Sequence, residues 1–410
     1  MGVLGGLATG MKYHVSIKEA SFTIGLNPPE YDLIVSFDLA GRMIGAYVRD
    51  GTENENNYRR GYDNRIVRIV KDPTLRNRWI HELSPNDRDV LLERCFGVVG
   101  EALREGDLGE AERTLVARAA ANGPPALAAQ REQFLGIYGS VPILPPDQYR
   151  ALVLQATRGC PFNDCEFCSF YRGCRFHVNS PAEFEAHIEA VKAFFGESLR
   201  LRHSIFLGDA NAVLIPTSRL LAHMEIARTR LDVAPADLPA SREVAWKREH
   251  PFGLIGFYGF LDGLSGTRKT SEDYRAVAAA GLRRVYIGAE SGCDDVLIRV
   301  RKPCRREQVV ETVTLCKEAG VAIGLILLAG VCEDDAGLAG QHVEQSCGLI
   351  NGLPLDAADI VYLSPFIVDR GRTAALPPFV EDQLERLEQG IRRRSGGPRI
   401  VVYDIRGFLY

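Results

Sequence analysis

No stretch of this 410-residue sequence is apolar for long enough to cross a bilayer; the longest runs, such as Val321 to Val331, fall well short of the ~20 residues a spanning helix needs. The start, MGVLGGLATGMK, lacks the basic n-region and long apolar core of a signal peptide. Charge of one sign is not in excess either: a formal net charge of -4 gives no general reason to expect nucleic acid or an acidic membrane as a partner. These absences point to a cytoplasmic protein. Ten cysteines are present, but the short secreted context in which cysteines build a disulfide framework is missing, so reduced thiols are expected. Cys95, Cys293, Cys304, Cys316, Cys332 and Cys347 sit singly and read as small buried hydrophobes. With 46% apolar and 25% charged residues, the chain has the composition of a globular protein with a sizeable core, divided into two or three domains.

Two styles of sequence follow one another. Residues 1–145 read as an α+β region of unknown role, with strands at Tyr31 to Asp38, Arg42 to Arg49 and Arg65 to Val70 and helices at Asn86 to Glu105 and Glu110 to Ala121. Leu39-Ala40-Gly41 reads as a hairpin turn, and the Pro-rich Val141 to Asp147 as a linker. Residues 148–366 then repeat an apolar run, a loop and an amphipathic helix. The expected strands are Tyr149 to Gln155, Ser204 to Leu207, Gly253 to Phe260, Arg283 to Gly288, Val321 to Leu328 and Asp359 to Ser364. Six β/α units in series imply a parallel sheet that right-handed crossovers curl into most of a barrel, with functional groups in the loops after the strands. Residues 367–410 read as a helix and strand extension, in which Arg392-Arg393-Arg394 is a solvated helix end.

The loop after the first barrel strand reads CPFNDCEFC, with thiols at Cys160, Cys165 and Cys168. Three kinds of site use such a loop. A structural zinc needs four ligands, and Cys174 could supply the fourth. A plant-type ferredoxin shares the opening spacing, but the next cysteine beyond Cys174 is Cys293, in a different β/α unit. A four-iron cluster held by three thiolates leaves one iron open to bind a substrate.

Here the residues resemble the radical S-adenosylmethionine (radical SAM) superfamily, whose three-cysteine loop follows the first strand of a partial (β/α)6 TIM-like barrel. The fold class this implies is α/β, a partial (β/α)6 barrel preceded by a smaller α+β region. The commonest family spacing has three residues between the first two cysteines; this chain has four. Phe167 matches the aromatic position against adenine. Gly208 and Asp209, ending Ile205-Phe-Leu-Gly-Asp-Ala210, resemble the segment that binds the amino group of S-adenosylmethionine; a helix N-terminal acid is the structural alternative for Asp209. Val285-Tyr-Ile-Gly-Ala-Glu-Ser-Gly292 is similar to the fourth strand of methylthiotransferase-like and oxygen-independent coproporphyrinogen-oxidase-like members, which places Glu290 and Ser291 toward the cofactor's ribose and methionine. A carboxylate can accept both ribose hydroxyls. One of Arg299, Arg301 and Lys302 could pair with the methionine carboxylate, though three neighbouring cations also describe a solvated face. Ile326 lies in the apolar fifth-strand wall, Gly324 to Gly330; Val361 to Phe366 resembles the sixth.

The resemblance implies a [4Fe-4S] cluster, S-adenosylmethionine, and an external electron donor of the flavodoxin or ferredoxin type. Reductive cleavage would give a 5'-deoxyadenosyl radical that removes hydrogen from an unidentified substrate, the cofactors carrying the chemistry and the protein orienting them. A zinc-holding scaffold on Cys160, Cys165, Cys168 and Cys174 is the competing expectation. No Asp-x-His-x-x-Gly cobalamin signature occurs in residues 1–145, and no second dense cysteine cluster occurs near the carboxyl end. Glu290→Gln is expected to weaken S-adenosylmethionine binding and leave thermal stability nearly unchanged.

Overall fold

The computed structural model describes residues 13–26, 33–49, 55–70, 79–366, 376–392 and 395–410. The expectations for the first twelve residues, for the start of the strand placed from Tyr31, for Arg393 and Arg394, and for the first part of the 367–410 extension lie outside these.

The amino-terminal region is an antiparallel meander of seven strands, each paired with the next: β1 (Tyr13–Ile17), β2 (Ser21–Leu26), β3 (Leu33–Asp38), β4 (Met43–Arg49), β5 (Glu55–Arg60), β6 (Ile66–Val70) and β7 (Trp79–Glu82). Alternation sets its buried face, as in β3, where Leu33, Val35 and Phe37 are buried and Ile34 and Ser36 are half-buried. That face packs on Leu92, Cys95 and Val99 of the helix Pro85–Glu105. Helices Glu110–Ala121 and Pro124–Tyr138 follow. The expected turn at Leu39 to Gly41 presents Arg42 to the second region. Buried Arg42 is bonded to Asp38 (3.0 Å) and donates to the Phe194 and Phe195 carbonyls (2.9 Å each), closing the helix Pro181–Phe195.

The second region is a parallel sheet whose strands join in chain order: β8 (Ala151–Gln155), β11 (Ser204–Gly208), β12 (Phe257–Leu261), β13 (Leu282–Glu290), β14 (Ala322–Ala329), β15 (Ile360–Pro365) and β16 (Arg399–Val402). Each crossover adds its strand on the same side, which is how a sheet curls toward a barrel. The six expected strands are present, and β16 adds a seventh. In the intervening loop, β9 (Thr157–Arg158) and β10 (His177–Val178) form a two-residue antiparallel ribbon. The first crossover helix starts on a capping box: Ser180 Oγ accepts from the Glu183 N–H (3.2 Å) and the Glu183 carboxylate accepts from the Ser180 N–H (2.7 Å). Its Phe184, Ile188, Val191 and Phe195 are all buried, as their spacing predicts.

Val141 to Asp147 is packed into the structure rather than spanning open space. Val141 and Leu144 are buried, and Asp147 closes the barrel floor, accepting from Tyr362 Oη (2.5 Å), Tyr286 Oη (2.6 Å) and Arg284 Nη1 (2.7 Å). Tyr403 Oη donates to the Leu144 carbonyl at 2.6 Å. The free edge of β8 is capped at Val153, whose N–H donates to Tyr410 Oη (2.8 Å) and whose carbonyl accepts from Tyr138 Oη (2.9 Å). Among the described residues, no helix is long and apolar enough to cross a membrane.

Candidate functional site

At the carboxyl ends of the barrel strands lies a cavity with about 1170 Å³ of empty space, its open mouth included. Cys160, Cys165, Phe167 and Cys168 line one side, Glu290 and Lys302 another, and Ile326 and Leu328 form apolar wall.

The cysteine loop is fixed by the ribbon β9–β10 at its neck, where Thr157 and Arg158 pair with Val178 and His177. At its base the Gly159 N–H donates to Asp209 Oδ2 (3.0 Å). From the side, the Glu166 N–H donates to the Val300 carbonyl (3.0 Å). Inside the loop the chain turns left-handed at Asn163 (φ 52°), whose N–H points at Cys160 Sγ (3.4 Å) and whose side-chain amide donates to the Tyr171 carbonyl (2.6 Å). Asparagine tolerates that conformation, and the turn accommodates the fourth residue between the first two cysteines. Arg172 caps the loop from outside, donating to the carbonyls of Cys165 (2.8 Å) and Cys168 (3.2 Å). Burial pushes the Cys165 thiol up to about 12, with Lys302 pulling the other way, and burial also raises Cys168.

Glu290 ends β13 with φ 62° and turns its carboxylate back over Gly288; a Cβ on Gly288 would strike that carboxylate and crowd Lys302 Nζ. The carboxylate is 3.1 Å from Lys302 Nζ, with both side chains about nine-tenths buried (8% and 10% exposed). Burial acts to lower the Lys302 pKa, but Glu290 and nearby thiols outweigh it and hold the ammonium charged. Its Nζ also lies 5.9 Å from the Phe167 ring centroid, joining the cysteine loop to the end of β13. Of the three candidate cations, only Lys302 lines the cavity: Arg299 is paired with Asp334, and exposed Arg301 lies 3.8 Å from Asp164.

Three residues expected at the cofactor stand behind the wall. Asp209 is buried and divides its oxygens between the Gln155 amide (3.1 Å) and the Gly159 N–H; burial raises its pKa to about 6, against the pull of those two bonds. Gly208 is buried beside it, its carbonyl taking the Thr157 hydroxyl at 3.3 Å. Ser291 is fully buried, with Oγ 2.8 Å from His342 Nδ1. The acid and the hydroxyl are committed to partners that hold strand ends together, and none of the three lines the cavity. Cys174 is exposed and also off the lining, so the four-thiol set that zinc would require is not gathered here. Among the described residues, no three Cys, His, Asp or Glu side chains are grouped as a single-ion site.

The sequence reading missed Asn211, Asp262, Tyr286, Ser364, Tyr403 and Arg406, all of which line the cavity. Asp262 could have been found, as an acid following an apolar strand; it caps the turn Gly263–Gly266 and accepts the Asn211 amide. The return of Tyr403 and Arg406 to the mouth leaves no local pattern.

Soft thiolates suit iron-sulfur clusters, and three of them on one wall of a roomy, largely apolar cavity fit a cluster with one open iron. A buried carboxylate and ammonium beside them suit a ligand with hydroxyl and carboxylate groups. No curated protein matches the chain. Solved structures similar to it include the cobalamin-dependent S-adenosylmethionine radical enzyme OxsB with aqua-cobalamin and S-adenosylmethionine bound, at 18% identity and TM-score 0.37, covering 62% of this chain and 32% of that one. The radical S-adenosylmethionine methyltransferase TsrM from Kitasatospora setae, with cobalamin and a [4Fe-4S] cluster bound, is 16% identical at TM-score 0.35, covering 53% and 35%. Methylornithine synthase (PylB) is 14% identical at TM-score 0.37, covering 74% and 85%. The chain thus spans about a third of the length of the first two. Residues 154–339 match the family model described as the Radical SAM superfamily. This segment, just under half of the chain, holds the cysteine loop and Glu290 and is the part similar to the radical SAM superfamily, whose members are enzymes with a [4Fe-4S] cluster and S-adenosylmethionine as cofactors.

Proposed function

We propose that this chain reductively cleaves S-adenosylmethionine, using an electron from an external flavodoxin- or ferredoxin-type donor, and that the resulting 5'-deoxyadenosyl radical abstracts hydrogen from a substrate not yet identified. The observation that carries the reading is the meeting of three cysteine thiols and the Glu290–Lys302 pair in one cavity at the strand ends. Cys160, Cys165 and Cys168 would each hold one iron as thiolate, leaving one iron without a protein ligand. Glu290 would accept the ribose hydroxyls, and Lys302 would donate to the methionine carboxylate. Phe167 and Ile326 would lie against adenine, keeping water from its faces. Gly208, Asp209 and Ser291 would act from behind the wall, holding strand ends and the loop neck. The methylthiotransferase-like or oxygen-independent coproporphyrinogen-oxidase-like branch is the one the fourth-strand segment suggests, and a cytoplasmic setting suits its reduced thiols. The barrel, residues 148–366, would be the catalytic unit, with 1–145 and 367–410 as accessory regions.

Anaerobic reconstitution with iron and sulfide tests this directly. The expected product is brown protein with about four irons per chain that, once reduced, releases 5'-deoxyadenosine slowly without substrate. A colourless protein carrying one zinc would establish the scaffold reading instead. An intact cluster with no 5'-deoxyadenosine under a competent reductant would overturn the proposal, and methylthioadenosine would indicate cleavage of another carbon-sulfur bond.

A further inference from the structure

The helix Ala336–Gly352 lies outside the barrel, yet two of its buried polar side chains reach the turn that follows Glu290. His342 and Ser346 are four residues apart, so they share one face of the helix. His342 Nε2 is 3.0 Å from the Leu328 carbonyl, which can only accept, so Nε2 carries the hydrogen and Nδ1 the lone pair. Ser291 Oγ, 2.8 Å away, therefore donates to Nδ1 and accepts from the Cys293 N–H at 3.0 Å. One helical turn on, Ser346 Oγ accepts from the Gly292 N–H at 2.8 Å. The turn lies so close to the helix that a Cβ on Gly292 would collide with the backbone of Gln345 and Ser346. A short bond from the Ser291 N–H to the Ala289 carbonyl (2.7 Å) tightens the same bend.

The residue just before this clamp is strained. Glu290 has φ 62°, a left-handed conformation that is costly for a non-glycine residue and persists only when its surroundings impose it. The strand register against β14 also shifts between Gly288 and Glu290. Ser291 and Gly292 are held from outside the barrel directly beside the point where Glu290 folds back toward Gly288 and Lys302.

We propose that His342 and Ser346 are positioning residues that fix the bend after β13, through Ser291 and Gly292, and so aim the Glu290 carboxylate into the cavity. The inference rests on the reading of Glu290 as a contact to S-adenosylmethionine. It makes part of the outer helical layer a determinant of cofactor affinity.

The test is a set of variants of the full-length chain, reconstituted anaerobically and left unreduced, with S-adenosylmethionine affinity measured by equilibrium dialysis. His342→Phe and Ser346→Ala should each weaken binding roughly tenfold while iron content stays at the wild-type level. In a Glu290→Gln background, His342→Phe should cost less than about twofold more, because the group being aimed is already altered. His342→Asn, which keeps an acceptor for Ser291 Oγ, should recover most of the affinity. Wild-type affinity in His342→Phe, or a loss of the same size in both backgrounds, would overturn the clamp. Wild-type affinity in Glu290→Gln alone would overturn the reading of Glu290 and the inference with it. If His342→Phe fails to fold, Ser346→Ala, in both backgrounds, carries the same comparison.

Discussion

Two strand ends, those of β11 and β13, look alike in sequence and do different work. Each runs out of apolar residues into a small residue or two and then an acid: Leu207-Gly208-Asp209 in one, Gly288-Ala289-Glu290 in the other. Both acids are buried, at 9% and 6% exposed, and both sit at the cavity end of the barrel. Asp209 faces an amide and a backbone N–H, and its charge goes into holding the neck of the cysteine loop. Glu290 meets the Lys302 ammonium directly at 3.1 Å, where both side chains line the cavity. Burial and position alone therefore do not tell the two acids apart; their partners do. A carboxylate whose oxygens are both taken by neutral donors is already satisfied, whereas one balanced by a single cation keeps acceptor capacity that a ligand can use.

The largest effect that tests this contrast lies in the loop Asp209 supports. Alanine at Cys160, Cys165 or Cys168 should abolish cluster assembly, read as iron content falling to background, because each removal leaves too few thiolates. Glu290→Gln should weaken S-adenosylmethionine binding by about 1.5 to 3 kcal/mol, roughly ten- to a hundredfold, measured on the oxidised holoenzyme. The sequence expectation of unchanged stability for that variant needs revision, since it would strand buried Lys302 and lower the thermal midpoint as well. Asp209→Asn should show the opposite profile. One of its two bonds becomes a donor facing a donor, costing about 1 to 3 kcal/mol of stability, with a smaller loss of cofactor affinity than Glu290→Gln.

A pH series separates the two ends further. The helices beside β8 and β11 bury His187 and His223, each lowered by burial from 6.5 to about 4. A base lowered in this way contributes stability that is present above pH 6.5 and lost as pH falls toward 4, about 1.4 kcal/mol per pH unit for each imidazole. Asp209, raised from 3.8 to about 6, acts in reverse: its contribution is present below 3.8 and lost as pH climbs through 6. Two imidazoles outweigh one carboxyl, so the thermal midpoint should fall on acidification below 6.5, and His187→Phe should flatten that slope. The smallest effect is expected at Cys174→Ala, which should leave both iron content and stability at wild-type levels; loss of metal in that variant would revive a four-thiol site.

The barrel was legible because its strands are buried on both faces and appear as continuous apolar runs, Ile205-Phe-Leu and Ile323 to Leu328 among them. The meander was harder. Glu55-Asn-Asn-Tyr-Arg-Arg60 carries almost no apolar signal, yet it becomes β5 because both neighbouring strands pair with it. The helix Pro124–Tyr138 hides behind two prolines that stand at its first positions, where proline costs nothing. At the site, the cysteine loop was picked out by its spacing and Glu290 by the resemblance of Val285 to Gly292, and both line the strand-end cavity. The commitment of Asp209 and Ser291 to hidden partners was not, because those partners, Gln155, Gly159 and His342, come from other β/α units.

The sealed floor has a kinetic consequence. Among the described residues, Tyr286 and Tyr362 pinned to Asp147 and Tyr403 to Leu144 close the bottom of the barrel, which leaves the strand-end mouth as the route for small molecules. A blind-ended site imposes a queue. Whichever ligand sits deeper must arrive first and leave last, and steady-state kinetics should show ordered addition, with a dead-end inhibitor of the outer ligand blocking release of the inner one.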